Sequence, residues 1–139
     1  MIILDTNVVS EAMAIRPDER VMRWIRFAPQ DELYTTAITE AEMRYGAERM
    51  SLHKKGRELE DIVNHIFTVR FAGHILPFDT AAAKELPAIL IAMQRDMRSY
   101  SRMDAFIAAI ARAHSATVAT RNLHDFERCG IPLINPWTA

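Results

Sequence analysis

Asp5, Glu42, Asp104 and Asp125, with the amide Asn122 three residues before the last of them, are the side chains from which this chain could build an oxygen-rich site. Converging carboxylates repel one another and hold on to their protons unless a cation sits among them. A hard divalent ion resolves that conflict. Mg²⁺ takes oxygen ligands, keeps several waters and commonly uses one or two carboxylates beside substrate phosphate oxygens, with Mn²⁺ as a substitute. The chemistry suggested by the acids is therefore metal-assisted attack on a phosphate ester. The five histidines, at positions 53, 65, 74, 114 and 124, form no His-Glu-x-x-His pattern, and the single Cys129 can form no Cys-x-x-Cys. A zinc centre has no support from such spacing.

Each acid also has an ordinary job open to it. Thr39-Glu40-Ala41-Glu42 and Ser101-Arg102-Met103-Asp104 both fit the capping box, in which the acid ties off a helix start. Asp5 fits an N-cap, Asn122 a turn or an N-cap, and Asp125 a solvated surface charge. It is their combination, placed by the elements around them, that favours a site.

Those elements alternate. The apolar run Ile2–Leu4 stops at Asp5-Thr6-Asn7 and reads as a buried strand running into a helix over 8–13. Apolar positions Val21, Trp24, Ile25 and Ala28 recur at helical spacing between Pro17 and Pro29, giving an amphipathic helix over 18–27. A second strand is expected around Leu33, Tyr34 and Ile38, then helices over 39–50 and 53–71 parted near Ser51. A third strand is predicted at 74–78, and a helix over 80–97 that Pro87 should kink or break. Met103, Phe106, Ile107, Ile110 and Ala113 mark a helix over 102–114. Strands at 117–120 and 131–134 complete the pattern. Trp24, Phe27, Phe67 and Phe106 read as core, and Lys54, Lys55 and Arg57 as a solvated basic helix start.

Such alternation predicts an α/β domain, a three-layer α/β/α sandwich around a parallel sheet of four to five short strands. Ligands of such sheets bind beyond the carboxyl ends of the strands. Asp5 follows the first strand and Arg121, Asn122 and Asp125 follow the fourth, so they fall at that edge. Glu42 and Asp104 sit near the starts of helices that face it.

The 139 residues, half of them hydrophobic, suit one domain over 1–139 with its own core. One cysteine makes no internal disulfide, and the opening residues carry no signal-peptide pattern, so a cytoplasmic protein is expected. The apolar stretch 88–93 is far short of a membrane span. Formal charge is −1, with 17 Lys and Arg against 18 Asp and Glu. No overall positive field attracts nucleic acid, but a bound divalent ion supplies local charge instead.

Taken in order, Leu4-Asp5-Thr6-Asn7, Thr39-x-x-Glu42, Asp104-x-x-Ile107-Ala108-Ala109-Ile110-Ala111 and Ala119-Thr120-Arg121-Asn122-x-x-Asp125-Phe126 resemble VapC-like PIN-domain toxins over essentially the whole chain. Phe78-Asp79 and the closing Ile134-Asn135-Pro136-Trp137 resemble the FitB-like branch. The resemblance implies a metal-dependent endoribonuclease, the toxin of a toxin–antitoxin pair. It makes Asp5, Glu42 and Asp104 the acidic triad, with Asn122 near a fourth position that is variably Asp or Asn. Asp5 and Asp104 become the direct Mg²⁺ ligands, and Glu42 acts directly or through water. Two departures stand out: Asn122 brings no charge, a role open to Asp125, and the segment 96–101 lacks the glycine many relatives carry.

The resemblance also implies a VapB-like or FitA-like antitoxin, DNA contact only through that partner, an RNA substrate, and a homodimer for which the helix at 18–27 offers a face. The principal rival is a PIN-fold interaction module without catalysis, working within a DNA-binding regulatory complex. A phosphatase is a third possibility. A haloacid-dehalogenase-like enzyme would want an aspartate where Asn7 stands, and a dinucleotide-binding fold would need Gly-x-Gly-x-x-Gly.

Overall fold

The structure is a computed structural model that describes residues 1–51, 54–95 and 101–139, with the side chains of 54–56 left out. His53, the side chains of Lys54 and Lys55 from the basic cluster, and the segment 96–100 therefore lie outside the described residues, while Arg57 is exposed as expected. Strand β1 (Ile2–Leu4) leads into α1 (Thr6–Ala12) and α2 (Glu19–Phe27). Strand β2 (Leu33–Thr36) follows, then α3 (Ala37–Met50) and α4 (Lys54–His65), the latter ending in a π-helical turn, Ile66–Arg70. The second half runs β3 (Ile75–Leu76), α5 (Thr80–Arg95), α6 (Arg102–Ala113), β4 (Thr117–Ala119), α7 (Leu123–Phe126) and β5 (Leu133–Ile134).

All five strands are parallel, in the order β3-β2-β1-β4-β5. β1 is the centre: Ile3 pairs with Tyr34 on one side and Val118 on the other, and Leu4 pairs with Ala119. Because strand side chains alternate between faces, consecutive residues serve opposite layers. Ile3 and Val118 join a core built with α5, α6 and Phe126, while Leu4 and Ala119 join one built with Val8, Val9, Val21, Val63 and Phe67. Burial on both faces explains the unbroken apolar runs of β1 and β4. The expected three-layer α/β/α arrangement is present.

α6 lies almost wholly inside. Ala105, Ala108, Ala109 and Ala111 are buried beside Ile107 and Ile110, and such small side chains let it pack closely against α5. Met103, expected on its buried stripe, is instead 43% exposed. α5 is continuous through Pro87. The ring removes the N–H that would reach the Ala83 carbonyl, and both residues face solvent, where water can satisfy that carbonyl.

Other boundaries moved for local reasons. The second strand ends at Thr36, and Ile38 belongs to α3, because the Thr36 hydroxyl accepts the Thr39 N–H at 3.1 Å and starts the helix two residues early. Phe27, at core-like spacing, is 79% exposed at the end of α2. No helix among the described residues is long and apolar enough to cross a membrane.

Candidate metal-dependent active site

β1 is where the chain turns from one side of the sheet to the other, with β2 on one flank and β4 on the other. A crevice at such a switch point opens beyond the carboxyl ends of the strands. Asp5 is the first residue past β1, its N–H bonded to the Ala119 carbonyl at 3.0 Å. It is also the N-cap of α1, accepting the Thr6 N–H at 2.8 Å on Oδ1. The structural job and the placement at the crevice thus coexist in one residue.

Asp5 is only 3% exposed. Its Oδ2 accepts the Thr120 hydroxyl at 2.8 Å and the Asn7 amide at 3.1 Å. Thr120 Oγ1 in turn accepts from Asn7 Nδ2 at 3.2 Å and from the Asn122 N–H at 3.0 Å, so its one proton and two lone pairs are all used. That saturation fixes the hydroxyl proton on Asp5. The ends of β1 and β4 are thereby tied into one rigid corner.

Glu42 does not close a capping box, since α3 is capped by Thr36. It lies in the second turn, half-buried, and its Oε1 accepts the Thr6 hydroxyl at 2.9 Å. Thr6 and Thr39 hydroxyls meet at 3.1 Å, and Thr36 Oγ1 donates to Thr39 Oγ1 at 3.4 Å. The protons of this relay run from Thr36 through Thr39 and Thr6 to the carboxylate, which orients Glu42 toward the same corner.

Asp104 stands in the first turn of α6, whose N-cap Ser101 makes no side-chain capping bond. Burial first, then the charges of Asp5, Asp125 and Glu42, push its carboxyl up to about 7. Burial likewise raises Asp5 against the downward pull of Thr120, Thr6 and Asn7, with Asp125 adding an upward push. Glu42 is raised by burial and Asp5, against Thr6. The four acids therefore share one electrostatic field, and a field of that kind stabilises a cation. All four are oxygen donors, which fits Mg²⁺ or Mn²⁺. Among the described residues no three His, Cys, Asp or Glu side chains close around a point as a tight cage.

Asn122 is the N-cap of α7 and exposed, with no side-chain capping bond. Its contribution to the corner is its backbone N–H, while Asp125, one turn on, is the residue whose charge reaches Asp5 and Asp104. The four-residue α7, too short for a periodic signal, is what presents Asp125 there. Sequence reasoning had Thr6, Asn7 and Thr39 only as helix-start residues and Thr120 only as strand, so their hydrogen bonds to Asp5 and Glu42 were not foreseen.

The PIN domain family matches residues 2–131. The chain belongs to the PIN-domain family. Its relatives include the VapC ribonuclease Y4jK of Sinorhizobium fredii, 36% identical over 99% of this chain and 98% of that protein. Toxin FitB of Neisseria gonorrhoeae is 37% identical over 99% of both chains. The structure of FitAB bound to a DNA fragment superposes with a TM-score of 0.88 at 38% identity, covering 99% of this chain and 96% of the other. This PIN domain is thus of the VapC and FitB kind, as its motif order implied.

Proposed function

We infer that this PIN domain is a divalent-metal-dependent endoribonuclease and the toxin of a toxin–antitoxin pair. The observation that carries the reading is the Asp5–Glu42–Asp104–Asp125 field at the switch point of the sheet, with Asp104 pushed up to about 7 by burial and its neighbours. Asp5 and Asp104 are assigned to hold the ion, with Glu42 direct or through water. Bound there, Mg²⁺ or Mn²⁺ supplies Lewis acidity toward a scissile phosphate and an acidified water for in-line attack. Asn7 and Thr120 keep Asp5 in place, and the Thr36–Thr39–Thr6 relay keeps Glu42 in place. Loading the site displaces the Asp104 proton, so affinity for the ion rises with pH. Names of relatives, a VapC ribonuclease and a toxin, support the substrate class and the biological role.

An uninhibited ribonuclease in the cytoplasm would damage its own cell, so we assign it a VapB-like or FitA-like antitoxin through which alone it meets DNA. The FitAB neighbour on its DNA fragment supports that arrangement. An apolar groove of about 530 Å³ between α1, α2 and α4, lined by residues such as Met13, Met22, Ile25 and Ile66, suits the apolar face of a partner helix. We also retain a homodimer.

Purified protein freed of antitoxin is incubated with mixed RNA in Mg²⁺ or in EDTA, beside an Asp104→Asn variant. Cutting that needs both the ion and Asp104 is expected. Intact RNA from folded, Mg²⁺-loaded protein would refute the assignment and leave an interaction module.

A further inference from the structure

We propose that the outer face of α2, centred on Arg23 and Phe27, is a second contact surface that holds the RNA strand running away from the acidic corner. The inference rests on the nuclease reading above and adds a site to it. Residues 16–27 hold four arginines and two acids in a chain whose formal charge is −1. Arg20, Arg23 and Phe27 fall at i, i+3 and i+7, one stripe of the helix. Arg20 is held by Asp18 through two bonds of 2.7 and 3.0 Å. Arg23 and Arg26 are exposed and have no ion-pair partner among the described residues.

Phe27 stands 79% exposed beside them. With Arg20, Arg23, Trp24, Ala28 and Ala139 it lines a cleft of about 320 Å³. Guanidinium groups interleaved with an exposed aromatic ring bind phosphates and stack a base, the two interactions that hold single strands without sequence preference.

The surface is linked to the acidic corner. Asn7, which donates to Asp5, accepts the Arg121 N–H at 3.2 Å. The Arg121 guanidinium lies 5.2 Å from the Trp137 ring centroid. Asp18, the N-cap of α2, is held down to about 2 chiefly by Arg20 and also feels the charge of Arg121. Arg121 thus stands between the corner and the N-terminal end of α2. A second copy is a poorer occupant, because a two-fold contact through this face would set its arginines against one another. An antitoxin chain would need acids in register with them, whereas an RNA strand brings a charge at each phosphate.

The test measures binding of a fluorescent 20-nucleotide single-stranded RNA in EDTA as a function of salt. The full chain is compared with Arg23→Glu/Phe27→Ala and with Arg23→Lys. We expect the double variant to bind at least tenfold more weakly, with the slope of log affinity against log salt reduced by about 1 or more. Arg23→Lys keeps the slope, and a tetranucleotide binds all three proteins alike. Unchanged affinity and slope in the double variant would overturn the proposal, and metal-dependent cutting by the unaltered protein would then leave the nuclease reading standing. Unchanged RNA binding with lost antitoxin capture, or with a dimer turned monomer in gel filtration, would overturn it in favour of a protein occupant. Failure of the unaltered protein to cut RNA would remove the nuclease reading and this one together.

Discussion

Replacing Asp104 with Asn should stabilise the metal-free protein while removing cleavage. Asp104 is raised from the ordinary value near 3.8 to about 7. Between those two pH values the folded state keeps a proton that the unfolded state releases. Stability held below the lower value is therefore lost as pH rises through the upper one. A displacement of roughly three pH units corresponds to about 4 kcal/mol. Solvent screening of a side chain only half-buried trims this to roughly 2 kcal/mol. Asn keeps the shape and never ionises. In EDTA at pH 8 the variant should melt roughly 4–8 °C above the parent, given about 2–4 °C per kcal/mol for a chain of this size. At pH 5, little more than one unit above the ordinary value, the difference should shrink to roughly 40% of that at pH 8. Differential scanning calorimetry at both pH values makes the comparison. A variant less stable than the parent at pH 8, or a parent that gains stability between pH 5 and 8, would refute the electrostatic argument.

Mg²⁺ should raise the melting temperature of the parent, more at pH 8 than at pH 6, and leave Asp5→Asn almost unmoved; calorimetry with and without EDTA reads this. Thr120→Val strips a hydroxyl from buried Asp5 and should cost about 1–3 kcal/mol and weaken Mg²⁺ binding, measured by denaturant melts and titration calorimetry. Asp125→Asn should weaken Mg²⁺-induced stabilisation more than Asn122→Ala does, because the charge of Asp125 reaches Asp5 and Asp104; equal losses would return the fourth position to Asn122. Phe126→Ala, at a fully buried ring beneath α7, should cost about 3–5 kcal/mol in urea unfolding.

Most of the architecture was legible because its elements carry strong periodic signals. β1 and β4 are unbroken apolar runs, and α6 and α2 show their stripes. The strand-end rule then led to Asp5 and to the Arg121–Asp125 segment without any knowledge of the fold. What the pattern could not carry were effects of three-dimensional surroundings. The capping-box pattern pointed to Thr39, and only the backbone turn decides that Thr36 is the cap used. Asn122 and Asp125 are three residues apart, and only the short α7 decides which one's charge is felt at the corner. Phe27 follows Trp24 at helical spacing but falls on the stripe of Arg20 and Arg23, while Val21, Ile25 and Ala28 turn to the core.

The central position of β1 has a consequence for how the protein comes into being. β1 is made well before a strand it needs: Asp5 is bonded to Thr120, 115 residues later, and Leu4 is registered with Ala119. A ribosome adding about 5–20 residues per second makes that separation last on the order of ten seconds. Asp5 therefore waits for Thr120, and with it for Asp104 and Asp125, long after its own strand has been made. The corner that gathers the acids is thus a product of long-range closure, and it assembles only when β4 docks beside β1.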